Sequence, residues 1–340
     1  FRLSEQTNRP QYKAGGAKPQ IVNEGDRIVV SSPKVQFVFD KKNGIVTSYK
    51  VGGKEYFHDG FGLRPNFWRA PTDNDYGNGA PEREQIWKQS SRHFHVTDAT
   101  ARIEGNQAIV GTTFLLPAGN LYIVDYTISP SGVMNVSARF TSTELSAAEA
   151  EASEATRTAT FTLGKEAARK EASQLNVPRI GVRFRLPASM NTVRYFGRGP
   201  EENYWDRKAG TPVGLYQSTA DQLYFPYVRP QENGHHCDTR WLSLTAGNGG
   251  GLLIVADSLI EFNALRNAIE DFDDEEKTHL PRQWNNFTPE MIADHDEAKA
   301  KNRLRRQHHI NDITPRDFVE VCIDLKQQGV AGYDSWGDRP

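Results

Sequence analysis

Cysteine is scarce in this chain, and long hydrophobic runs are absent from it. The 340 residues include two cysteines, Cys237 and Cys322. Two thiols can form one bridge at most, which excludes a disulfide-rich scaffold. We therefore expect both to be small buried thiols. No stretch approaches the roughly 20 apolar residues that a membrane-spanning helix needs, so the sequence predicts no membrane partner of that kind.

Net charge is also small. The 41 lysines and arginines nearly balance the 43 aspartates and glutamates, which leaves a net charge of −2. Nucleic acids and anionic membranes select strongly basic surfaces. The sequence therefore predicts neither as a partner. The chain begins at Phe1 without a charged-then-apolar signal segment, and we expect it to be part of a longer protein, with cytoplasm and periplasm both open as its compartment.

Alternating apolar and polar residues dominate the pattern, as in half-buried β-strands. The Asn43-Gly44 pair lies between Val35–Asp40 and Ile45–Val51 and is typical of a tight hairpin. Further strands are predicted at Arg27–Ser31, Glu55–Phe57, Leu121–Ser129, Val133–Phe140, Thr156–Leu163, Arg179–Leu186, Thr192–Phe196, Trp241–Thr245, Gly251–Ala256 and Phe318–Leu325. Strands do not alternate with helices, which argues against a (β/α)₈ barrel. The predicted fold class is all-β, a large antiparallel β-sandwich.

Helical signals are few. Pro81 with acidic residues after it predicts one helix start, and Thr288 before a proline predicts another. Residues 4–20 are polar and rich in glycine, proline and lysine, which is typical of a linker. The segment Gly77–Arg83 contains two glycines and is predicted to be a mobile loop.

Two pairs of carboxylates are candidates for acid–base chemistry. Retaining glycosidases need two carboxyl groups about 5–5.5 Å apart. Glu201 and Glu202 are adjacent, and neighbours on a strand point to opposite faces. Asp73 and Asp75 stand in a turn-forming segment near Arg69, where ion pairing favours a structural role. We predict no catalytic residue in this chain.

Histidine and cysteine stand together at His235-His236-Cys237. Adjacent residues of an extended chain do not easily converge on one ion, and no second cluster stands at zinc spacing. We therefore predict structural histidines and no metal site. The sequence also indicates no carboxylate partner for His235.

Around these residues the segment from Glu232-Asn233-Gly234 to Arg240 is typical of a buried polar network that holds a turn, with Arg240 as its charged anchor.

Three ordered motifs carry a resemblance to a known family. They are Arg69-Ala70-Pro71 with Asp73-Asn74-Asp75 and Gly77; Gly197-Arg198-Gly199-Pro200 with Glu202-Asn203-Tyr204, Asp206-Arg207 and Glu232-Asn233-Gly234; and Gly329-Val330-Ala331-Gly332 with Asp334-Ser335-Trp336. Together they resemble the C-terminal domain (domain 5, small-chain type) of glycoside hydrolase family 2 β-galactosidases. The resemblance covers nearly all of the chain after about Ile21.

This resemblance implies a supersandwich fold shared with galactose mutarotase. It implies that residues 1–20 are the tail of an immunoglobulin-like domain plus a linker, and that residues 21–340 form one domain. The intact enzyme would hydrolyse terminal β-D-galactosides with retention, using glutamates in a barrel domain outside this chain. Its Mg²⁺ and Na⁺ would bind other domains, so no cofactor is expected here. The barrel, the galactoside and further copies of the enzyme are the expected partners.

The resemblance also suggests roles for individual residues. Trp336 stands in a segment with little apolar company, and exposed indoles stack on sugar rings. The matching family tryptophan forms a platform at the barrel's active site, so Trp336, Asp334, Gly77 and Asn78 are the predicted substrate-binding residues. The predicted structural residues are Arg69, Asp73, Asn74, Asp75, Glu202, Asn203, Asp206, Arg207, Glu232, Asn233 and Arg240.

Three alternatives remain open at this point. An aldose mutarotase or epimerase of the same fold would need a histidine and a carboxylate converging in a sugar-sized cleft. A freestanding carbohydrate-binding module would bind galactosides by itself. A third possibility makes the chain the small subunit of a two-chain β-galactosidase.

Overall fold

Antiparallel strands dominate the computed structural model, which describes residues 15–141, 176–273 and 309–330. The strands are β1 (Gln20–Glu24), β2 (Arg27–Ser31), β3 (Val35–Asp40), β4 (Ile45–Val51), β5 (Lys54–Glu55), β6 (Arg64–Asn66), β7 (Val96–Glu104), β8 (Gln107–Leu115), β9 (Leu121–Ile128), β10 (Met134–Thr141), β11 (Arg179–Pro187), β12 (Thr192–Arg198), β13 (Val213–Thr219), β14 (His236–Thr245), β15 (Gly251–Leu265) and β16 (Phe318–Gln327). The helices are α1 (Asp73–Asn78), α2 (Ala80–Arg83), α3 (Gln85–Ser90) and α4 (Ile269–Phe272), with 3₁₀ turns at His58–Gly60, Pro117–Gly119 and Ile310–Asp312.

The strands form three sheets. The first is a meander in the order β1-β2-β3-β4-β5, and the second has the order β10-β9-β8-β7. The third has seven strands in the order β13-β12-β14-β15-β16-β11-β6. The last strand in sequence, β16, thus lies between β15 and β11 inside this sheet.

One apolar core joins all three sheets, because each turns an alternating apolar face inward. In β3 the buried positions are Val35, Phe37 and Phe39, separated by more exposed residues. Contacts between sheets are the ring pairs Phe37–Tyr126 and Phe57–Phe184 and the hydrogen bond from Tyr122 Oη to Gly181 O at 3.0 Å. The predicted all-β sandwich is confirmed.

Strand predictions are most accurate in the first sheet. The bounds of β2, β3 and β4 agree with the predicted ranges, and Gly44 has the positive φ, 68°, that the hairpin turn requires. The predicted strands at Thr156–Leu163 and the helix after Thr288 lie outside the described residues. None of the helices in the described ranges is long and apolar enough to cross a membrane.

The segment after Thr72 was wrongly predicted as a turn followed by a loop. It forms α1 and then α2, with Gly77 inside α1 and Gly79 in the left-handed conformation between the two helices (φ 72°). Short polar side chains favour turns, but they also cap helices, and here the cap prevails. The predicted helix start at Pro81 is correct to within one residue, since α2 begins at Ala80.

Candidate functional site

Helix α1 begins with a reciprocal cap. The Thr72 hydroxyl accepts a hydrogen bond from the Asp75 backbone N–H at 3.2 Å, and Asp75 Oδ2 accepts one from the Thr72 N–H at 2.7 Å. Asp73 and Asp75 also place negative charge in the first turn, where the helix dipole favours it. The local sequence therefore fixes the position of the Asp75 carboxylate.

Asp75 pairs with Arg69, which is 2% exposed. Arg69 Nη2 donates to Asp75 Oδ1 at 3.0 Å and to the carbonyl oxygen of Gly329 at 3.1 Å. Burial alone would lower the pKa of Arg69, but the charges of Asp75 and Glu232 outweigh it and raise the pKa. Arg69 therefore stays charged inside the protein and reaches the end of the described chain.

Two further side chains hold the same segment. Asn74 Nδ2 donates to the carbonyl oxygen of Val330 at 2.9 Å, and Asp206 Oδ1 accepts from the Val330 N–H at 3.3 Å. We call Arg69, Asn74 and Asp206 the 329–330 clamp. It brings residues from the first two sequence motifs onto the start of the third.

Helix α1 is also attached to the segment before Glu232. Asp73 forms an ion pair with Arg229, and its backbone N–H donates to Gln231 Oε1 at 3.0 Å. The guanidinium carbon of Arg229 lies 4.2 Å from the centroid of the Tyr76 ring. The two predicted aspartates thus serve different partners, and both roles are structural.

Glu202 and Asn203 join the two parts of the second motif. Glu202 accepts hydrogen bonds from Arg207 Nη2 at 2.6 Å and from the Gly234 N–H at 2.7 Å. The Asn203 N–H donates to the His235 carbonyl at 2.7 Å, and its Oδ1 accepts from the Cys237 N–H at 2.8 Å. The loops at 202–207 and 232–237 are therefore tied together along their backbones.

The buried cation of this network is Arg179, on β11. Its Nη2 donates to Asn263 Oδ1 at 2.7 Å and to Glu232 Oε1 at 3.3 Å. Asn263 in turn donates to the Asn233 carbonyl at 2.8 Å. Arg240, the predicted anchor, is only half buried and donates to the Asp238 carbonyl at 2.6 Å, so that assignment was wrong.

His235 contacts a carboxylate, contrary to the expectation from sequence. Its Nε2 lies 3.1 Å from Glu261 Oε2, and its Nδ1 lies 2.8 Å from Asn263 Oδ1. Burial lowers the pKa of His235, but hydrogen bonds with Cys237 and Glu261 outweigh burial and raise it to about 10. The partner is on β15, far away in sequence, which is why the local pattern gave no sign of it.

The cavity that adjoins the polar network is far smaller than a sugar. The cavity nearest the network has a volume of about 20 Å³ and is lined by Arg179, Glu232 and Asn263 among others. That volume suits one water molecule, whereas small-molecule sites measure some hundreds of Å³. The network therefore holds loops and does not enclose a substrate.

The structure brings together most of the predicted structural residues and leaves the substrate-binding group untested. The clustered ones are Arg69, Asp73, Asn74, Asp75, Glu202, Asn203, Asp206, Arg207, Glu232 and Asn233. Gly77 and Asn78 fall in α1, and Gly77 is exposed. Asp334 and Trp336 lie outside the described residues.

Five strand residues of the network were missed, because each is a single polar residue in an otherwise ordinary strand. They are Arg179, Glu261, Asn263, Asp324 and Gln327. One signal in the sequence could have revealed two of them. Glu261 and Asn263 flank Phe262, so their polar side chains share the face of β15 opposite to the Phe262 ring.

Fold and site together define an antiparallel β-sandwich domain whose buried polar residues fasten loops and the backbone at residues 329–330. Comparison with known proteins identifies the family. The family model described as "Beta galactosidase small chain" matches residues 31–340, and the chain belongs to that family.

The chain is similar in sequence to several β-galactosidases. The chain is 29% identical to the β-galactosidase of Priestia megaterium over 338 aligned residues. The alignment covers 99% of this chain and 27% of the relative. The chain is 30% identical over 335 residues to that of Lactobacillus delbrueckii subsp. bulgaricus, covering 97% and 26%, respectively. With the Arthrobacter sp. (strain B7) protein, identity is 33% over 58% of this chain and 19% of the relative. The chain thus spans about a quarter of the length of the first two relatives.

Proposed function

We propose that this chain is the non-catalytic C-terminal domain of a retaining β-galactosidase that hydrolyses terminal β-D-galactosides. Family membership and the names of the relatives support the enzyme class. The short share of each relative that the chain spans supports a domain of a larger protein. In this proposal a barrel domain of the same protein carries the catalytic carboxylates.

The observation that carries the specific role is the 329–330 clamp. Arg69, Asn74 and Asp206 fix the backbone at Gly329 and Val330. Trp336 follows Val330 by six positions in the sequence. The clamp therefore fixes the backbone from which the segment with Asp334 and Trp336 continues. We propose that this segment completes the wall of the active site, with Trp336 as a stacking platform for the sugar.

The rim next to the clamp would be formed by α1. Its last residues, Gly77 and Asn78, lie within one turn of Asn74 and Asp75, which take part in the clamp and its support. A short capped helix fixes these positions better than a free loop does. Gly77 and Asn78 would therefore approach the sugar as part of a rigid rim.

Catalysis by this chain alone is not favoured. Asp75 and Glu202 are held in charged hydrogen bonds to Arg69 and Arg207, and the cavity lined by Arg179, Glu232 and Asn263 has room for a single water. The same cavity size argues against the mutarotase alternative. We expect the purified chain to leave nitrophenyl β-galactoside unhydrolysed; turnover that a substitution within this chain abolishes would contradict the proposal.

The test of the platform is Trp336→Ala in the protein that contains both this chain and the barrel. Galactoside affinity should fall by roughly 1–3 kcal/mol, because aromatic stacking contributes about that much. KM, inhibitor affinity and Tm are measured together. Trp336→Phe, which keeps a ring face, should recover part of the affinity. Unchanged affinity with a large fall in Tm would make Trp336 a packing residue instead.

The clamp is tested separately by Asn74→Ala. This removes the hydrogen bond to Val330 O but leaves the Arg69–Asp75 pair in place. KM should rise in the same direction as in Trp336→Ala, while Tm falls by much less than in Arg69 variants. Ser218→Ala, which loses two weak hydrogen bonds at 3.4 and 3.5 Å near the surface, is the matched control and should change neither quantity.

A further inference from the structure

Three possible metal ligands converge beside the polar network, although no metal site was predicted from the sequence. His235, Cys237 and Glu261 each offer one donor atom, and the three atoms lie within 4.8 Å of one another. All three residues are buried, at 0%, 0% and 5% exposure. They come from two neighbouring strands of the third sheet, around β14 and on β15.

Strand geometry explains the convergence. Consecutive residues of a strand point to opposite faces, so His235 and Cys237, two apart, can share a face while His236 does not. A bulge interrupts β14 between His236 and Thr239, and Asp238 there has a φ of 49°. Bulges re-aim side chains, and Glu261 on β15 supplies the third donor.

Spacing and support suit coordination. His235 Nε2 and Glu261 Oε2 are 3.1 Å apart, which is close to the separation of two ligands bound at about 2.0–2.2 Å with a tetrahedral angle. His235 Nδ1 lies 2.8 Å from Asn263 Oδ1. An oxygen acceptor on the second ring nitrogen is what fixes the tautomer of metal-binding histidines. Glu261 Oε2 is itself held by the Gln327 N–H at 2.8 Å.

Charge around the three residues favours a cation. Glu232, Glu261 and Asp324 are buried carboxylates, while Arg179 is the buried arginine among them. Asp324 stands opposite Glu261 in the β15–β16 register and is 0% exposed. Its Oδ2 forms an ion pair with Arg179 Nε at 3.2 Å, so this one arginine serves both Asp324 and Glu232. Excess buried negative charge is costly unless it is compensated.

We propose that His235, Cys237 and Glu261 form a structural zinc site within this domain. A thiolate, an imidazole and a carboxylate are zinc ligands, whereas Mg²⁺, Ca²⁺ and Na⁺ favour oxygen alone. The site is closed to solvent, so the metal is taken up as the loops at 202–207 and 232–237 close over it. Its role is to stabilise the joint between these loops and the third sheet, independently of the galactosidase activity.

The first experiment measures zinc in the protein that carries this chain, purified without chelator and dialysed. Atomic-emission spectrometry should find about one more zinc per chain in the wild type than in Cys237→Ser. Cys322→Ser is the matched control, because Cys322 is the other buried free cysteine and lies outside the ligand set. It should keep the zinc. Equal zinc in the wild type and Cys237→Ser, or none in either, would overturn the proposal.

A second measurement on the wild type and Cys322→Ser does not depend on the folding of Cys237→Ser. Refolding with Co²⁺ in place of Zn²⁺ should give the ultraviolet charge-transfer band of a cobalt thiolate, and excess Zn²⁺ should abolish it. Persistence of the band in Cys322→Ser assigns the thiolate to Cys237. Adding zinc chloride to chelator-treated protein should raise Tm. Absence of the band and of the Tm shift would overturn the proposal.

Discussion

Arg69 shows how one buried side chain links local sequence to distant structure. Its guanidinium contacts a carboxylate six positions away and a carbonyl 260 positions away. Removing the charge while keeping the volume would leave Asp75 buried without its partner. Loss of one member of a buried ion pair is far more damaging than loss of the whole pair.

Arg69→Met should therefore lower the free energy of unfolding by about 3–5 kcal/mol. Denaturant titration of the variant and the wild type measures this. Arg102→Met is the control, since Arg102 and Glu104 form an ion pair that is 53% and 60% exposed, and it should cost less than about 1 kcal/mol. Similar small losses in both variants would mean that Arg69 does not support Asp75.

Gly62 is a second residue whose identity is fixed by packing. A Cβ added there would lie 2.2 Å from the carbonyl oxygen of Val46 and 2.6 Å from the Phe57 ring. The Val46 N–H donates to the Leu63 carbonyl oxygen at 3.0 Å, so the Val46 backbone is held against the segment before β6 and its oxygen cannot move away cheaply.

We expect Gly62→Ala to destabilise the protein by about 1–3 kcal/mol, as overpacking does. Gly210→Ala serves as the comparison, because a Cβ at Gly210 meets no atom within 4 Å. Thermal unfolding should show a clear fall in Tm for the first variant and little change for the second. A Gly62→Ala protein with wild-type Tm would show that the strands separate easily at this point.

Between elements, α4 is fastened to β11 by charge. Glu270 on α4 accepts from Arg183 Nη2 at 2.8 Å. Burial alone would raise the pKa of Glu270, but the charge and hydrogen bond of Arg183 lower it from 4.5 to about 2. The folded state therefore binds this proton less readily than the unfolded chain.

That difference predicts a pH dependence. The stabilisation by Glu270 is fully present above its unfolded pKa of 4.5 and is lost as the pH falls towards about 2. The Tm gap between the wild type and Glu270→Gln should thus be constant near neutral pH and shrink below about pH 4.5. Glu104→Gln, in the exposed pair, is the control and should show little gap throughout. A gap that widens in acid would contradict the assignment.

Elements differ in how far the sequence predicts them. The hairpins of β2, β3 and β4 follow from alternating residues and an Asn-Gly turn, which are local signals. Strands β7 and β13 were missed because much of each faces solvent, so their polar residues hide the alternation. Helix α1 was missed because aspartate and asparagine favour turns and helix caps alike.

The site was predictable only in its loops. The motif residues Arg69, Asp75 and Glu202 could be picked out because they stand in ordered motifs that resemble a known family. Arg179 and Glu261 each stand alone on a strand, and which strands become neighbours is decided by tertiary packing. Sequence-local reasoning therefore found the outer layer of the network and missed its buried centre.

For the whole molecule, the position of β16 has a measurable consequence. This strand bonds to β15 on one side and β11 on the other, and its Val319 and Val321 are fully buried. A chain that stops after Asp317 would leave both neighbours as unpaired edges. We expect it to lose cooperative unfolding and to aggregate.

The matched comparison is a chain that stops after Val330, which keeps β16 and the clamp. Its unfolding should remain a single cooperative transition near the wild-type Tm, measured by circular dichroism and calorimetry. A cooperative transition in the shorter chain as well would show that the third sheet is stable without its inner strand.

The same arrangement bears on synthesis. A ribosome makes β11 to β15 well before β16, and the inner place in the sheet stays vacant until that strand emerges. A strand made late that must return to an inner position of a sheet makes folding slow, because contacts between distant residues form only after large loops close. During translation the two exposed edges would invite pairing with other nascent chains. Chaperone demand should therefore be highest just before β16 leaves the exit tunnel.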